Sequence, residues 1–413
     1  MDGPSFEHAI GQERNFTLRR ALERLREGVF DPFAVQLLTA HEDKLVRAFE
    51  QGLSSPTGDL APHLCICGDY GQGKSHSLTY LQENALKKGF ATSMINLDPR
   101  EVPFHNFRLV YRELLGRIRF PDHNGDVASK WKSWTEALST RAGDNGNAIL
   151  GLLPDEMPHL FKTVLAAMAA KTIPLSTKQK GFKKHRKYRP GEFPTLLKRA
   201  LSGEPVPVYP LRTVCRYREV AFHREAPMKC KDPYEYLTQI RCLATLFKQM
   251  GYEGWVVLFD EGESIAQTRI TCRSRSYQFL EQILSGHPSL TGLYPVFAFT
   301  DDFFFRVNEE NYEHTRITKK GEFPSFAMNY AHAWKDLNRH RLHDLSPKEW
   351  DELSGKLLAL HMRAYEWTPL DQEVRETVKN APGQTGNPET RLRIKSLINQ
   401  LDIAHQEQLL NRP

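Results

Sequence analysis

Cysteine is scarce in this chain: six residues in 413 (Cys65, Cys67, Cys215, Cys230, Cys242 and Cys272), with no Cys-x-x-Cys pair among them. That scarcity excludes a disulfide framework and a zinc ribbon, and the six read as reduced, mostly buried thiols. Long apolar runs are missing too. The longest are strand-sized, far short of the roughly 20 residues a membrane-crossing helix needs, so no membrane partner is expected. Met1 to Gly11 carries Asp2 and Glu7 and has no apolar core, unlike a secretory leader, which makes the cytoplasm the expected location. Internal repeats and low-complexity tracts are absent. The overall charge is small at +6, but it is unevenly spread: Lys171 to Tyr236 holds 16 basic against 6 acidic residues, so the remainder is slightly acidic.

What is present is a globular composition, 40% hydrophobic and 26% charged, in a chain long enough for several cores at about 150 residues per domain. Residues 1–60 read as helical, with Phe16, Leu18, Leu22 and Leu25 at helical spacing before Gly28 and Asp31-Pro32, then Leu45, Val46 and Phe49. After the turn-forming Ser54 to Asp59 the texture changes to strand, helix, strand: His63 to Cys67, Ser75 to Lys87 and Phe90 to Leu97, the rhythm of a parallel α/β sheet. That rhythm lapses over 121–231, where Met157 to Ala170 is the one clear amphipathic helix, and this stretch reads as a basic insertion. It resumes with the helix Pro233 to Met250, the strand Trp255 to Phe259, the helix Tyr277 to Leu284 and the strand Leu293 to Phe299. From Ser346 onward the chain reads as helix. Ser346-Pro347-Lys348-Glu349 is a capping start, Thr368-Pro369-Leu370-Asp371 a second one, and Glu389 to about Leu410 a last helix.

The strongest chemical signal is Gly68-Asp69-Tyr70-Gly71-Gln72-Gly73-Lys74-Ser75, which satisfies G-x-x-x-x-G-K-[ST] between a strand and a helix. Its glycines let backbone N–H groups wrap a β-phosphate, and the helix start adds positive dipole. Lys74 would bridge β- and γ-phosphates, and the Ser75 hydroxyl would ligate Mg²⁺. A plain glycine turn before an ordinary helix is the alternative. A second signal is Trp255 to Glu261, a buried-strand run that delivers two carboxylates to the carboxyl edge of the sheet, where ligands of such sheets bind. Asp260 would hold Mg²⁺ through its water shell, and Glu261 would take a proton from an attacking water. Glu263 reads equally as part of this site or as a solvated helix residue. Thr300, ending the next strand, is a candidate contact to the γ-phosphate or the lytic water, the alternative being an ordinary turn.

The run Lys178 to Arg189 interleaves aromatics with cations. Lys180, Lys183, Lys184, Arg186, Lys187 and Arg189 are the candidate nucleic-acid contacts, against a solvated loop or a protein-binding face.

With these motifs placed, the chain resembles AAA+ ATPases of the origin-recognition (Orc/Cdc6) type, and more narrowly the BREX ATP-binding proteins of the BrxC and BrxD kind found in bacterial anti-phage defence. The resemblance is carried by Arg24 to Pro32, Leu38 to Glu42, Cys67 to His76, Asn96 to Phe104, Gly251 to Ser264 and Asn387 to Arg393. It implies a P-loop core over 61–120 and 232–310, an N-terminal helical segment over 1–60 and a C-terminal helical lid over 311–413. It also implies ATP and Mg²⁺ as ligands, with His76 joining Gly68 to Ser75 in the nucleotide-holding set. Such lids carry an arginine that reaches the γ-phosphate, commonly from Gly-Asn-Pro-Arg. Here Gly386-Asn387-Pro388 is followed by Glu389-Thr390, so Arg391 and Arg393 are both candidates, and Arg306 is the nearest option for an arginine acting on a neighbouring subunit. The implied function is an ATPase, Walker A and B included, that assembles on DNA or with other defence proteins as a homo-oligomer. A nucleotide-gated scaffold with negligible hydrolysis, a P-loop kinase and a plain DNA-binding module are the alternatives.

Overall fold

A computed structural model describes residues 6–29, 31–39, 42–54, 60–122, 125–142, 146–170, 190–225, 228–230, 232–318, 337–369 and 390–410. Four helices open the chain: α1 (Phe6–Gln12), α2 (Asn15–Glu27), α3 (Pro32–Leu38) and α4 (Glu42–Ser54). The α/β section follows with β1 (Leu64–Cys67), α5 (Lys74–Lys87), β2 (Ala91–Asn96), α6 (Phe107–Gly116) and β3 (Ile118–Arg119). The stretch expected to lack regular texture is in fact largely helical among its described residues: α7 (Val127–Ala142), α8 (His159–Ala169), α9 (Phe193–Leu201) and α10 (Val208–Tyr217). Then come α11 (Pro233–Gln249), β4 (Trp255–Asp260), α12 (Ile270–Leu284), β5 (Leu293–Phe299), α13 (Asp301–Thr318), β6 (Arg339–Arg341), α14 (Pro347–Tyr365) and α15 (Thr390–Leu410).

The strands form one sheet in the order β3-β2-β4-β5-β1-β6, parallel except for the edge strand β3. Every residue of β4 is buried, which explains its unbroken apolar run: a parallel sheet covered on both faces has no polar side. Side chains nevertheless alternate between two cores. Leu64, Ile66, Val256, Leu258 and Val296 pack with Phe49 of α4 and with Leu78, Leu81 and Ala85 of α5. Cys65, Cys67, Trp255, Val257, Phe259 and Phe297 face the other way, into a core shared with α6, α11, α12 and the helices of 121–231. Tyr111 of α6 ties that junction, donating its hydroxyl to the Leu201 carbonyl at 2.6 Å. The helices within 121–231 therefore extend a core of the sheet.

A third core joins the two chain ends. Leu18 and Leu22 of α2 and Ala34 of α3 pack with Leu357 and Leu360 of α14 and with Leu397, Ile398 and Leu401 of α15. The Ser346 cap is made as its sequence dictates: its hydroxyl accepts from Glu349 N, and Glu349 Oε2 accepts from Ser346 N at 2.9 Å. Two elements carry no signal in the sequence. Both β3 and β6 are two- or three-residue edge strands too short and polar for a periodicity signal, and β6 places residues 339–341 in the sheet, inside the segment expected to be lid. The helix start at Thr368 runs into undescribed residues, as does the approach Gly386 to Glu389.

Candidate functional site

The glycine-rich loop leaves β1 and enters α5 at the carboxyl edge of the sheet. Gly71 (φ 82°) and Gly73 (φ 92°) both occupy the left-handed region, which explains glycine at these two positions. Gly73 is the residue from which α5 begins. Gly68 answers a different need: a Cβ there would lie 2.8 Å from Gln72 Oε1 and 3.2 Å from Leu342. Gln72 holds the loop from within, accepting from Asp69 N at 2.8 Å and donating to Asp344 at 3.2 Å. Lys74 is 8% exposed, and its ammonium donates to the carbonyls of Gly68 (3.1 Å) and Asp69 (3.2 Å) and lies 5.3 Å from the centre of the Tyr70 ring. Ser75 is half-buried on the first turn of α5.

Opposite, β4 ends in Asp260, whose carboxylate accepts from Glu261 N at 2.9 Å. Glu261 adopts φ 55°, a left-handed conformation costing about 1 kcal/mol or more for a residue with a Cβ. Packing enforces that turn. The next residue, Gly262, sits so close to β5 that a Cβ would come within 2.6 Å of the Ala298 carbonyl and the Phe299 ring. The chain then makes a short 3₁₀ turn, Gly262–Gln267, that buries Glu263. Burial and the neighbouring Asp260 charge raise the pKa of Glu261, opposed by Lys74 and Arg391. Burial likewise raises that of Glu263, whose Oε1 lies 3.8 Å from Lys74 Nζ. Glu263 is thus brought to the phosphate loop.

Lys74 and Glu261 line one cleft of about 200 Å³. Its other walls come from the chain ends and the sheet edge: Leu25, Gly28 and Val29 after α2, Leu38 and Thr39 after α3, Leu45 of α4, Arg341 and Leu342 at β6, Leu353 of α14, and Arg391 and Ile394 of α15. Lys44, His340, His343 and Thr390 line it beside these aliphatic side chains, so the walls mix charged, polar and apolar groups. His76 lines the cleft as well, its Nε2 lying 2.8 Å from Thr39 Oγ1, which in turn donates to the Val35 carbonyl at 2.6 Å. The residue keeps some surface, yet enough protein surrounds the imidazole to push its pKa down to about 4.

The two candidate arginines of α15 part company. Arg391 lines the cleft, whereas Arg393 lies with its guanidinium carbon 3.9 Å from the centre of the Trp350 ring. Thr300 follows β5, the neighbour of β4; its carbonyl accepts from Phe303 N, and the residue does not line the cleft. The adjacent Asp301 pairs with Arg341 at 2.6 Å. Arg306 is exposed on α13. Lys180, Lys183, Lys184, Arg186, Lys187 and Arg189 lie outside the described residues. Sequence reasoning leaves Glu263 undecided and misses Arg341 and the aliphatic wall. Of that wall, Leu25 and Leu45 are legible as helix-face positions and Gly28 as a helix stop, none of them as part of a site.

Hard oxygen donors suit Mg²⁺, and here the Ser75 hydroxyl and the Asp260 carboxylate end strands or helices at the same sheet edge.

The fold and cleft are those of a phosphate-loop α/β protein. The chain belongs to the family described as BREX system ATP-binding protein BrxC/D, whose model matches residues 16–172 and 221–412. The unmatched 173–220 contains most of the basic segment. No curated protein gave a significant match. Among solved structures, the chain is similar to the ORC2 protein of Aeropyrum pernix (ADPNP-ADP complexes), with 10% identity and a TM-score of 0.37 over 90% of this chain and 63% of that one. The chain thus spans less than two thirds of the length of that protein. No helix among the described residues is long and apolar enough to cross a membrane.

Proposed function

We propose that this protein binds ATP with Mg²⁺ in the cleft and hydrolyses it, and that the nucleotide state controls its assembly, with copies of itself, with other defence proteins or on DNA, in bacterial anti-phage defence. The observation that carries this reading is the shared cleft: a buried P-loop lysine, a strained carboxylate with a raised pKa and the lid residue Arg391 all line it. In this reading Gly68 to Ser75 cradle the β- and γ-phosphates, and the aliphatic wall takes the base. Bound Mg²⁺, held by Ser75 and through water by Asp260, would draw charge from the phosphate oxygens. Glu261 takes the proton of a water whose oxygen attacks the γ-phosphorus, and the bond to the bridging oxygen of ADP breaks. Its raised pKa suits it to hold that proton, and Arg391 stabilises charge on the transferring phosphoryl group.

The test separates binding from chemistry. Glu261→Gln should keep the ATP-induced rise in melting temperature while phosphate release falls by roughly 10²–10⁴. A variant that turns over like the parent would refute the assignment, and a parent without turnover would return the protein to a nucleotide-gated scaffold. The DNA part is tested apart from the cleft. Neutralising Lys183, Lys184, Arg186 and Lys187 together should weaken DNA binding similarly across sequences and flatten its salt dependence by up to about one log unit per lost contact. ATP binding should be unaffected; an unchanged slope and affinity would make the run a solvated loop.

A further inference from the structure

Glu263 is 9% exposed, and neither of its carboxylate oxygens accepts a hydrogen bond of ordinary geometry among the described residues. A carboxylate on a short turn at a strand end would ordinarily point to water. This one is held beneath the phosphate loop, where an unpaired charge is expensive. Its supports are few: help from its own backbone N–H, and Lys74, the cation beside it among the described residues. Asp260 and Glu261 both oppose that charge. Lys74 is in turn divided. An ammonium has three donors, and two already point to the Gly68 and Asp69 carbonyls while Glu263 lies 3.8 Å away.

We propose that Glu263 is the internal counter-ion of Lys74, a positioning residue that competes with nucleotide phosphate for the ammonium and so sets how tightly nucleotide is held and how fast it leaves. The inference rests on the nucleotide-binding reading above. A phosphate drawing Lys74 toward itself leaves Glu263 with three negative neighbours: Asp260, Glu261 and the phosphate. Part of the attraction between Lys74 and phosphate is therefore spent on separating Lys74 from Glu263. Removing the charge but keeping the shape should relieve that cost and tighten binding, whereas a merely structural role predicts weaker binding or no change.

The experiment is an equilibrium titration of the full chain with a fluorescent ADP analogue, followed by a chase with unlabelled ADP. Glu263→Gln should lower Kd about ten-fold and slow release by a similar factor, and Glu263→Met, also uncharged and of similar volume, should act in the same direction. Glu263→Asp, which keeps the charge, should stay near the parent. Unchanged or weaker binding by both neutral variants would overturn the proposal. A second arm uses melting temperature without nucleotide: Lys74→Ala should destabilise by stranding the carboxylate, and adding Glu263→Gln should restore most of the loss. A double variant no more stable than Lys74→Ala also overturns it. If the parent itself fails to bind the analogue, the nucleotide-site reading falls and takes the competition with it, while the melting arm still decides whether the two side chains are paired.

Discussion

The walls of the cleft are built in opposite ways. One comes from a stretch of consecutive residues, Tyr70 to Ser77, in a loop that closes on itself through Gln72 and Lys74. The other, the aliphatic lining, is assembled from Leu25, Leu45, Leu342, Leu353 and Ile394, on five segments spread over nearly the whole chain. A contiguous loop can be shaped by its own glycines and hydrogen bonds, so its geometry tolerates changes elsewhere. An assembled wall exists only while the helices of the two chain ends stay packed on each other, which makes it the part that a conformational change can open.

The sharpest way to break this contrast is Lys74→Ala. It deletes the compact cation of the loop, so ATP should no longer raise the melting temperature; an undiminished rise would mean that the aliphatic wall alone holds the ligand. A smaller effect separates two arginines on the same helix. Arg391→Ala should weaken ATP binding relative to ADP while leaving the nucleotide-free melting temperature within the small range typical of surface changes. Arg393→Ala should do the reverse, costing about 1–2 kcal/mol of stability through the lost packing on Trp350. Identical behaviour of the two variants in both assays would mean that α15 does not distinguish them.

The smallest effect is a pH dependence. His76 has a folded pKa of about 4, below the 6.5 of a free imidazole, so the unfolded chain takes up a proton that the folded chain refuses. The stability this confers is complete above about pH 6.5 and is lost as the pH falls toward 4. Melting temperature should therefore drop across that window, and His76→Gln should drop less. His63, His105 and His361 are shifted in the same direction by burial, so the slope should shrink rather than vanish. A His76→Gln profile that overlays the parent would place its proton uptake elsewhere.

The glycine-rich loop between strand and helix, the strands β1, β2, β4 and β5, the capping start at Ser346 and the place of Asp260-Glu261 at a strand end are all legible in the amino-acid order. Each rests on neighbours in the chain: glycine freedom, a continuous buried run, a hydroxyl three residues before a glutamate. Other features are illegible there, for one shared reason. Edge strands β3 and β6 carry no pattern of their own and form only because a neighbouring strand offers unpaired backbone groups. Of the helices within 121–231, only that of Phe161 stands out in the amino-acid order; Trp131, Leu197 and Val214 lie on helices passed over there, and all four side chains are buried in the core shared with the sheet and α6.

By itself, then, the amino-acid order determined where the glycine-rich loop turns from strand to helix and which carboxylates stand at a strand end, because those arrangements need only local backbone geometry. Tertiary structure alone decided three things: that Glu263 turns under the loop toward Lys74, that Arg391 and not Arg393 enters the cleft, and that residues near position 25 and near position 394 share one wall. Each depends on which surfaces are left to bury once the sheet has formed. Burial is a property of the whole fold, and the spacing of residues along the chain does not encode which distant face will cover them.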